Sequence, residues 1–435
     1  MSLFLFATYQ TDCYRDAHQI SNMFSASANG MFTARRPVHP HPKGIVEMSD
    51  NHVVSRRNLL KMGGAGSAAA GAGALLLASS PDVRAQSTSD TYVNVKDFGA
   101  AGDGSANDTV AIQQAIAAAS GSGGSEFDRN QRGGVVFLPA GTYRVDQIRL
   151  NRNITLMGEG PGTIVDQADG NNTAVIAPSG ATEYPVLISD LRIRGARNPG
   201  GDGLSARGIL LDTQAAYGGF TVPDGQHIVN RVWIERTHAE NIFIAHNCRG
   251  TLIADCWLRG SEIAAGLVID GSDSTISNTI SRGHASDGFR VTSGNTRMQN
   301  CKAFFCRGNG FLVTSSRANL SVCEAQDNWG NGFHIMSNDG LYTSCLADSN
   351  QFAGFNVDPR GGTLGGIVMT GFLTLGKQQV QASKPFVGQD VGLLLNNGLI
   401  RDSLFAGVAR ENNSAQLRAN ALLAEETQIA QVVSS

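Results

Sequence analysis

The sequence predicts an all-β protein: a right-handed, single-stranded parallel β-helix with short, equal coils and an N-terminal capping helix. Three observations predict this fold. A Gly-aromatic motif recurs about every 22 residues, which sets the length of one coil. Within each unit, apolar and polar residues alternate in short segments without a helical period. Glycine is abundant, at 52 residues, whereas prolines (12) and charged residues (16%) are few, as is typical of turn-rich, strand-rich chains.

The repeat defines two columns of residues. The motif has looser copies at 208–211 and 241–244, and its regular copies begin at Gly266, Gly288, Gly310, Gly332 and Gly354. Stacking of coils about 4.8 Å apart puts equal positions above one another. The residues predicted to stack inside are Phe289, Phe311, Phe333 and Phe355. Cys301, Cys323 and Cys345 follow the same period and should fill the interior as free thiols, with disulfides as the alternative.

Residues 1–85 are interpreted as two segments that precede the fold. Residues 1–47 show no periodicity and are predicted to be a non-native or disordered extension. Residues 48–85 have the form of a twin-arginine (Tat) signal peptide, with Ser-Arg-Arg-Asn-Leu-Leu-Lys at 55–61 and a cleavage site before Gln86. A membrane anchor is the alternative, but the apolar stretch is shorter than the roughly 20 residues that a span needs. We therefore expect Tat export, to the periplasm or out of the cell.

The solenoid is predicted over residues 91–395. Its entry is a strand at 92–95, a turn-rich loop, and a helix N-capped by Asn107 or Asp108. The apolar face of this helix carries Ile112, Ala115, Ile116 and Ala119. The helix would cover the first coil, whose core and strand edges would otherwise meet water. Residues 396–435, helix-prone near Ala419–Gln431, are predicted to be a C-terminal cap or tail.

Four stretches carry a resemblance to a known family: 92–104, 107–116, 133–143 (Gly-Gly-Val-Val-Phe-Leu-Pro-Ala-Gly-Thr-Tyr) and 154–160. Together with the coils they resemble the pectate-lyase-like superfamily, which includes rhamnogalacturonase-, polygalacturonase- and epimerase-like β-helices. The resemblance covers roughly residues 91–395 and implies a fold that works on polysaccharides. It is specific for fold and weak for activity, because one fold hosts many chemistries.

The chain departs from the catalytic motifs of that superfamily. It has neither the paired Asp-Asp on a strand nor the Arg-x-Lys of polygalacturonases. It also lacks the Asp-Pro-His run of mannuronan epimerases, to which Asp358-Pro359-Arg360 is the nearest match. No catalytic residue is therefore carried over by motif, and candidates must come from the repeat.

Strand alternation predicts which side chains point outward. If Phe289 and Val291 face inward, Arg290 faces out, and the same register exposes Asp270 and His334. Arg290 and His334 lie two coils apart, about 9–10 Å, so that a sugar ring fits between them. Lyase or C5-epimerase chemistry on a uronic acid needs a cation for the carboxylate and a base for the C5 proton. Arg290 suits the first role and His334 the second.

Each candidate also has an interpretation without catalysis. Arg290 and His334 can be solvated surface residues, and Asp270 can form a turn or a salt bridge, pair with Arg290, or help to hold a Ca²⁺ ion. No metal or other cofactor is required by the sequence. Trp329, His246 and Asp287 are the candidate substrate-binding residues. The alternative roles of Trp329 and Asp287 are loop packing and a turn, respectively. Lys302 and Glu324, one coil apart, are predicted to form a surface ion pair.

The functional hypothesis is an exported enzyme that acts on a polysaccharide substrate, first as a lyase or C5-epimerase on a uronic-acid polymer. A glycoside hydrolase and a non-catalytic glycan-binding or cell-surface protein are the alternatives. Hydrolysis needs two nearby carboxylates, and Asp270 and Asp358 are about 19 Å apart by coil spacing. Loop acids could still supply them: Glu262, Asp273 and Asp339. The formal net charge of −3 gives no reason to expect a nucleic-acid partner.

Overall fold

The computed structural model describes residues 92–120, 133–180, 185–213, 227–376, 389–410, 412, 415–424 and 426–433. The predicted extension at 1–47 and signal peptide at 48–85 lie outside these residues. Within the described part there is one α-helix, α1 (Thr109–Ala119), and a 3-10 turn at Val95–Phe98. No helix of this part is long and apolar enough to cross a membrane.

Short strands make up nearly all of the remaining regular structure. The first half of the chain contains β1 (Tyr92–Asn94), β2 (Asp103–Asn107), β3 (Val135–Leu138), β4 (Gly141–Val145), β5 (Ile148–Leu150), β6 (Thr155–Gly158), β7 (Thr163–Gln167), β8 (Ile176–Pro178), β9 (Leu187–Arg194), β10 (Ile209–Leu211), β11 (Ile228–Glu235), β12 (Ile242–Ile244), β13 (Leu252–Ala254), β14 (Trp257–Arg259), β15 (Leu267–Ile269), β16 (Thr275–Ser277), β17 (Ile280–Arg282) and β18 (Phe289–Val291).

The second half continues in the same way. It contains β19 (Arg297–Gln299), β20 (Lys302–Phe304), β21 (Phe311–Val313), β22 (Asn319–Ser321), β23 (Glu324–Gln326), β24 (Phe333–Ile335), β25 (Leu341–Thr343), β26 (Leu346–Asp348), β27 (Ala353–Val357), β28 (Thr363–Gly365), β29 (Val368–Leu375), β30 (Val391–Leu395), β31 (Leu399–Arg401), β32 (Leu404–Arg410), β33 (Ala415–Ala419), β34 (Leu422–Ala424) and β35 (Gln428–Val433).

Each regular coil contributes three strands, for example β16, β17 and β18. The first and second strands of the coils belong to a 21-stranded sheet, and the third strands to an 11-stranded sheet from β5 to β33. Every strand of the regular coils pairs in parallel with the equivalent strand of the next coil, as Phe289 with Phe311 and Phe311 with Phe333. The molecule is therefore the predicted right-handed parallel β-helix, with the coil length that the glycine motif indicates.

The interior confirms the predicted columns. Phe289, Phe311, Phe333 and Phe355 are fully buried, and their ring centroids follow one another at 4.9, 4.7 and 4.6 Å. The six described cysteines are buried and free, as predicted for the three of the repeat. Burial raises the pKa of the Cys256 thiol to about 12, so that this thiol stays protonated near neutral pH.

The glycine that opens each motif allows two coils to approach closely. A Cβ atom on Gly310 would lie 2.7 Å from both the Ala325 Cβ and the Gly332 carbonyl oxygen. Such contacts are far shorter than van der Waals distance, so any larger residue would push the coils apart. Glycine thus recurs once per coil because neighbouring coils approach each other too closely at this position for a larger residue.

The corner between the first and second strands of each coil uses a left-handed backbone. Arg231, Asp255, Asn278, Asn300, Val322 and Ser344 occupy this corner in successive coils, each with φ between 48° and 56°. The Asn278 amide donates to the Asp255 carboxylate, and the Asn300 amide donates to Asn278, at 3.0 Å each. Val322 is the β-branched exception, in a conformation that such side chains disfavour.

Helix α1 buries the face that the sequence predicts, Ile112, Ala115, Ile116 and Ala119. Its N-cap is Asp108, one of the two residues predicted for that position, although the Asp108 side chain does not bond to the helix. Asn107 accepts from the Thr109 amide at 3.0 Å, whereas the carboxylate of Asp108 accepts from the amides of Ala101 and Gly102 in the preceding loop. The helix contacts β1, β3 and β5 of the first coils. Its function as a cap stays a prediction.

The C-terminal region differs from its prediction. Where Ala419–Gln431 was expected to be helix-prone, the chain forms β34 and most of β35. Leu422 pairs with Leu399, and Gln428 pairs with Leu404, so that pairing with the preceding coil overrides local helix propensity. The coils thus continue beyond residue 395, and a capping role for 396–435 stays a prediction.

Candidate functional site

The outer surface of the third strands, here called the third-strand face, brings the predicted residues into one column. The register places Val268, Arg290, Leu312, His334 and Asn356 on successive coils. Their neighbours in each strand are buried, whereas Arg290, Leu312 and His334 are partly exposed. Arg290 and His334 therefore lie two coils apart on one face, about 9–10 Å by the strand spacing, with Leu312 between them.

Arg290 is held by two groups of its own coil. Its Nε and Nη2 donate to the Asp287 Oδ2 at 3.0 and 2.8 Å, and Nη2 also donates to the Ser286 hydroxyl at 2.8 Å. The Arg290 side chain is 38% exposed. Its remaining nitrogen, Nη1, has no hydrogen bond among the described residues. The group is thus fixed on one side and available to a ligand on the other.

Asp287 is a support for Arg290. Its side chain is only 4% exposed, and its second oxygen accepts from both the backbone and the side-chain amide of Asn309 at 2.9 Å. Asn309 in turn accepts from the backbone and side-chain amides of Asn331. Both carboxylate oxygens are thus buried and occupied, so Asp287 fixes Arg290, and a direct contact of Asp287 with a substrate stays a prediction.

His334 is held by a carboxylate from the next coil. Its Nε2 lies 3.1 Å from the Asp358 Oδ2, and both side chains are less than one-fifth exposed. Asp358 is fixed in turn, since its Oδ1 accepts from the Arg360 amide at 2.9 Å. A carboxylate at Nε2 favours the tautomer with its proton on that nitrogen, which leaves Nδ1 as a proton acceptor. The pair has the geometry of a base oriented by an acid.

Asp270 and His246 lie at the border of this face. The Asp270 carboxylate accepts from the Thr292 hydroxyl at 2.9 Å and lies 3.9 Å from His246 Nδ1. His246 is 80% exposed. Asp270 makes no ion pair with Arg290 in the described part of the chain, because Arg290 is paired with Asp287. The alternative in which Asp270 neutralises Arg290 is therefore wrong.

The remaining candidates lie away from this column. Trp329 is partly buried in the loop that joins the second and third strands of its coil. Glu262, in an equivalent loop, lies 2.8 Å from His238 Nδ1, and Asp273 accepts from Asn295 at a corner. Lys302 and Glu324 form the predicted ion pair, at 2.8 Å. Across the described ranges, no three His, Cys, Asp or Glu side chains group closely enough to hold a metal ion.

Sequence reasoning missed the groups that fix the two central side chains. The sequence gives no signal for Ser286, and it indicates Asp358 only as the start of the nearest match to an Asp-Pro-His run and as half of a distant carboxylate pair. A signal for Asp358 was present, because it follows His334 by one coil plus two positions and therefore lies on the same face. Asn356 was also passed over, although it pairs in register with His334 and its side-chain oxygen is buried without a hydrogen bond among the described residues.

Comparison of the sequence with protein-family profiles identifies the family of this chain. A family profile described as rhamnogalacturonase A/epimerase, pectate lyase-like, matches residues 92–334, which is more than half of the chain. The chain belongs to this family. The match begins at β1, includes Arg290 and ends at His334, whereas Asp358 lies beyond the matched segment.

Curated relatives of this pectate-lyase-like chain come from Azotobacter vinelandii. Mannuronan C5-epimerase AlgE3 is 39% identical over 127 residues, which are 26% of this chain and 6% of the epimerase. Alginate lyase 7 is 39% identical over 115 residues, which are 23% of this chain and 12% of the lyase. The chain thus matches only a small part of the length of these relatives.

A solved structure shows the same fold over a larger part of the chain. The A-module of the mannuronan C5-epimerase AlgE6 from Azotobacter vinelandii superposes with a TM-score of 0.54 at 20% sequence identity. The superposition covers 78% of this chain and all of the A-module. At this identity the likeness concerns the fold alone.

Proposed function

We propose that this protein is a polysaccharide-active enzyme that acts on a uronic-acid polymer, as a lyase or a C5-epimerase, on the third-strand face. One observation carries the proposal: Arg290 and His334 lie in one column two coils apart, and each is fixed by its own carboxylate. The printed names of the relatives, mannuronan C5-epimerase and alginate lyase, support the choice of substrate class.

Arg290 would bind the carboxylate of the sugar through Nη1 and stabilise the negative charge that develops there when the C5 proton leaves. Its own carboxylate partner, Asp287, leaves that nitrogen free because it binds Nε and Nη2. Leu312, partly exposed between the two polar residues, offers an apolar floor for the face of the ring. The site therefore binds charge at one end and takes a proton at the other.

His334 would remove the C5 proton with Nδ1, while Asp358 stabilises the imidazolium that forms. The electron pair of the broken C–H bond moves into the carboxyl group held by Arg290. In a lyase this pair then forms the C4–C5 double bond and expels the C4 oxygen, which takes a proton from solvent. In an epimerase a proton returns to C5 from the opposite face. Both reactions share the first step.

The hydrolase alternative has less support on this face. Its two carboxylates, Asp270 and Asp358, are four coils apart in the register, about 19 Å, whereas glycosidases hold theirs roughly 5 to 9.5 Å apart. A binding protein without activity would leave the orienting contacts of His334 unexplained.

The test is a screen of pectate, alginate and glucuronan, each with and without Ca²⁺, followed by variants. A lyase releases an unsaturated uronate detected by ultraviolet absorbance, and an epimerase changes the ratio of C5 epimers seen by NMR. Arg290→Ala and His334→Ala should each lower kcat/KM at least about a hundredfold, and Asp358→Asn about tenfold to a hundredfold. Arg297→Ala, which removes an exposed arginine from another face, is the matched control and should retain activity.

Several outcomes would reject this proposal. Unchanged turnover in both Arg290→Ala and His334→Ala would remove the site. New reducing ends without unsaturated product would assign a hydrolase, and binding without any product would assign a glycan-binding protein.

The same screen tests the Ca²⁺ ion considered near Asp270. A requirement for Ca²⁺ would support this ion, and full activity in the presence of a chelator would exclude it.

We also propose that the protein is exported by the Tat route to the periplasm or beyond. The support is the motif at 55–61 followed by the apolar stretch and the small-residue site before Gln86. Replacement of Arg56 and Arg57 by lysine should retain the full-length precursor in the cytoplasm. Equal export of the two forms, measured by immunoblotting of cell fractions, would contradict the proposal.

A further inference from the structure

The outer surface of the second strands, here called the second-strand face, carries two tryptophans, of which Trp233 is exposed and Trp257 is partly exposed. Trp233 and Trp257 lie on neighbouring coils in register, with ring centroids 6.3 Å apart and a tilt of 43°. Trp233 is 44% exposed. The phenylalanines of the third strands are fully buried, so the exposure of these two indoles is not a by-product of the stacking interior.

A cationic column runs beside this aromatic column. Two positions further along each strand, on the same face, the coils present Arg194, Glu235, Arg259 and Arg282. Arg192 precedes Trp233 in the aromatic column. Over the four coils that contain β9, β11, β14 and β17, these residues give the face four guanidinium groups against one carboxylate.

The charges of this face are only partly neutralised. Arg192 and Arg194 share Glu235, at 2.7 and 3.1 Å. Arg259 is exposed and forms no ion pair with any described residue. Arg282 also lacks an ion pair among those residues, and its guanidinium lies 5.2 and 5.5 Å from the ring centroids of Phe304 and Phe305. Arg282 is therefore held by aromatic rings that leave its charge uncompensated.

We propose that the second-strand face is a non-catalytic binding site for an acidic polysaccharide that runs along the helix axis. Trp233 and Trp257 would stack against the apolar faces of successive sugar rings. Arg259 and Arg282, about 7 Å away along the strands, would bind the carboxylates of those sugars. Coils repeat every ~4.8 Å, close to the length of one pyranose unit in an extended polymer, which matches one sugar to one coil.

This site is distinct from the third-strand face, because the second and third strands of a coil form different sheets. A polymer held here would raise the local concentration of substrate for any site on the same molecule. Charge complementarity selects an anionic glycan over a neutral one, and over a second copy of this chain, whose net charge is only −3.

The chain offers a direct optical test, since its three tryptophans are Trp233, Trp257 and Trp329. In Trp329→Phe the fluorescence comes only from the two on this face. Titration of that variant with polymannuronate should change its emission, and equal titration with neutral dextran should not. The response should persist in Arg290→Ala/His334→Ala, which separates this site from the proposed active site.

Affinity measurements on variants complete the test. Trp233→Ala should weaken binding of polymannuronate by about tenfold, and Arg259→Ala/Arg282→Ala by at least as much, with a steeper loss at low salt. Arg297→Ala, which removes one positive charge from the first-strand surface, should bind as wild type. Because these side chains lie outside the core, the variants should unfold at the wild-type temperature.

The proposal is overturned if Trp233→Ala binds polymannuronate as tightly as wild type, or if dextran binds equally well. It is also overturned if wild-type protein self-associates in sedimentation velocity and Trp233→Ala is monomeric, because the face would then be an interface between copies of the chain.

Discussion

Inside the coils from Gly266 to Val357, equal positions carry equal or similar side chains, whereas outside they differ from coil to coil. The interior column is Leu267, Phe289, Phe311, Phe333 and Phe355. The adjacent outer column is Val268, Arg290, Leu312, His334 and Asn356, of which the middle three are partly exposed and the two end residues are buried. The interior is packed as densely as a crystal, so each coil tolerates only a side chain of similar size and shape at a given interior position. Most side chains can be accommodated at a position that faces water. The inside therefore determines the fold, and the outside is free to carry chemistry.

The strongest test of this comparison changes the two sides of one strand in turn. Phe311→Ala should lower the free energy of unfolding by about 3–5 kcal/mol, because it leaves a cavity between two stacked rings. Leu312→Ala, the next residue on the outer side, should cost about 1 kcal/mol or less. Urea denaturation followed by circular dichroism measures both. Equal losses would show that the two sides do not differ in the way described.

A buried histidine makes the interior sensitive to acid. His284 is 1% exposed, and burial lowers its pKa from 6.5 to about 3. The unfolded chain binds a proton near pH 6.5 and the folded chain does not, so the stability contributed by neutral His284 is complete above that pH and declines as pH falls toward 3.

His284→Asn keeps an acceptor for the Ser261 amide and removes the titration. Between pH 6.5 and 4.5 the wild type should therefore lose about 2–3 kcal/mol more than the variant. Denaturation midpoints at both pH values measure the difference. Parallel pH curves for the two proteins would contradict it.

A substitution at one outer corner should increase the stability of the protein. Val322, with φ of 54°, is 54% exposed and follows Asn278 and Asn300 in the same corner column. Val322→Asn should stabilise the protein by about 1 kcal/mol, because asparagine tolerates this conformation and can extend the amide ladder. Val322→Ala is the control and should gain less. Thermal unfolding distinguishes them, and a destabilised Asn variant would reject the argument.

The smallest effect is expected from an outer ion pair. Lys302 and Glu324 are each about one-third exposed and 2.8 Å apart. Their coupling in a double-mutant cycle with alanine should be about 0.5 kcal/mol and should decrease in high salt. A coupling energy as large as the loss of unfolding free energy in Phe311→Ala would contradict the difference between the interior and the outer surface of the coils.

The same contrast explains what the sequence could predict. Gly310, Phe311 and Cys323 each belong to a repeated column, so their interior placement followed from the period alone. The outward direction of Arg290 and His334 followed from alternation. The pairing of each with its carboxylate did not, because Asp287–Arg290 and His334–Asp358 are formed once each and do not recur from coil to coil.

The C-terminal region shows a failure of local reasoning. Local propensity near Ala419–Gln431 favours a helix, but strand pairing with the preceding coil prevails. At the helix start, Asp108 is the N-cap as the sequence allows, but its carboxylate bonds to the amides of Ala101 and Gly102 in the preceding loop. In both places, contacts outside the local segment decide the detail.

Equal coils give the molecule a unit of length. The gap between Arg290 and His334 is two units, and it can change only in whole steps: loss of one repeat would shorten it to about 5 Å, and gain of one would lengthen it to about 14 Å. Duplication or deletion of a repeat in a gene would therefore shift the distance between the charged group and the base without altering a single side chain. Such a protein can change the size of the ligand it accommodates by gaining or losing whole repeats.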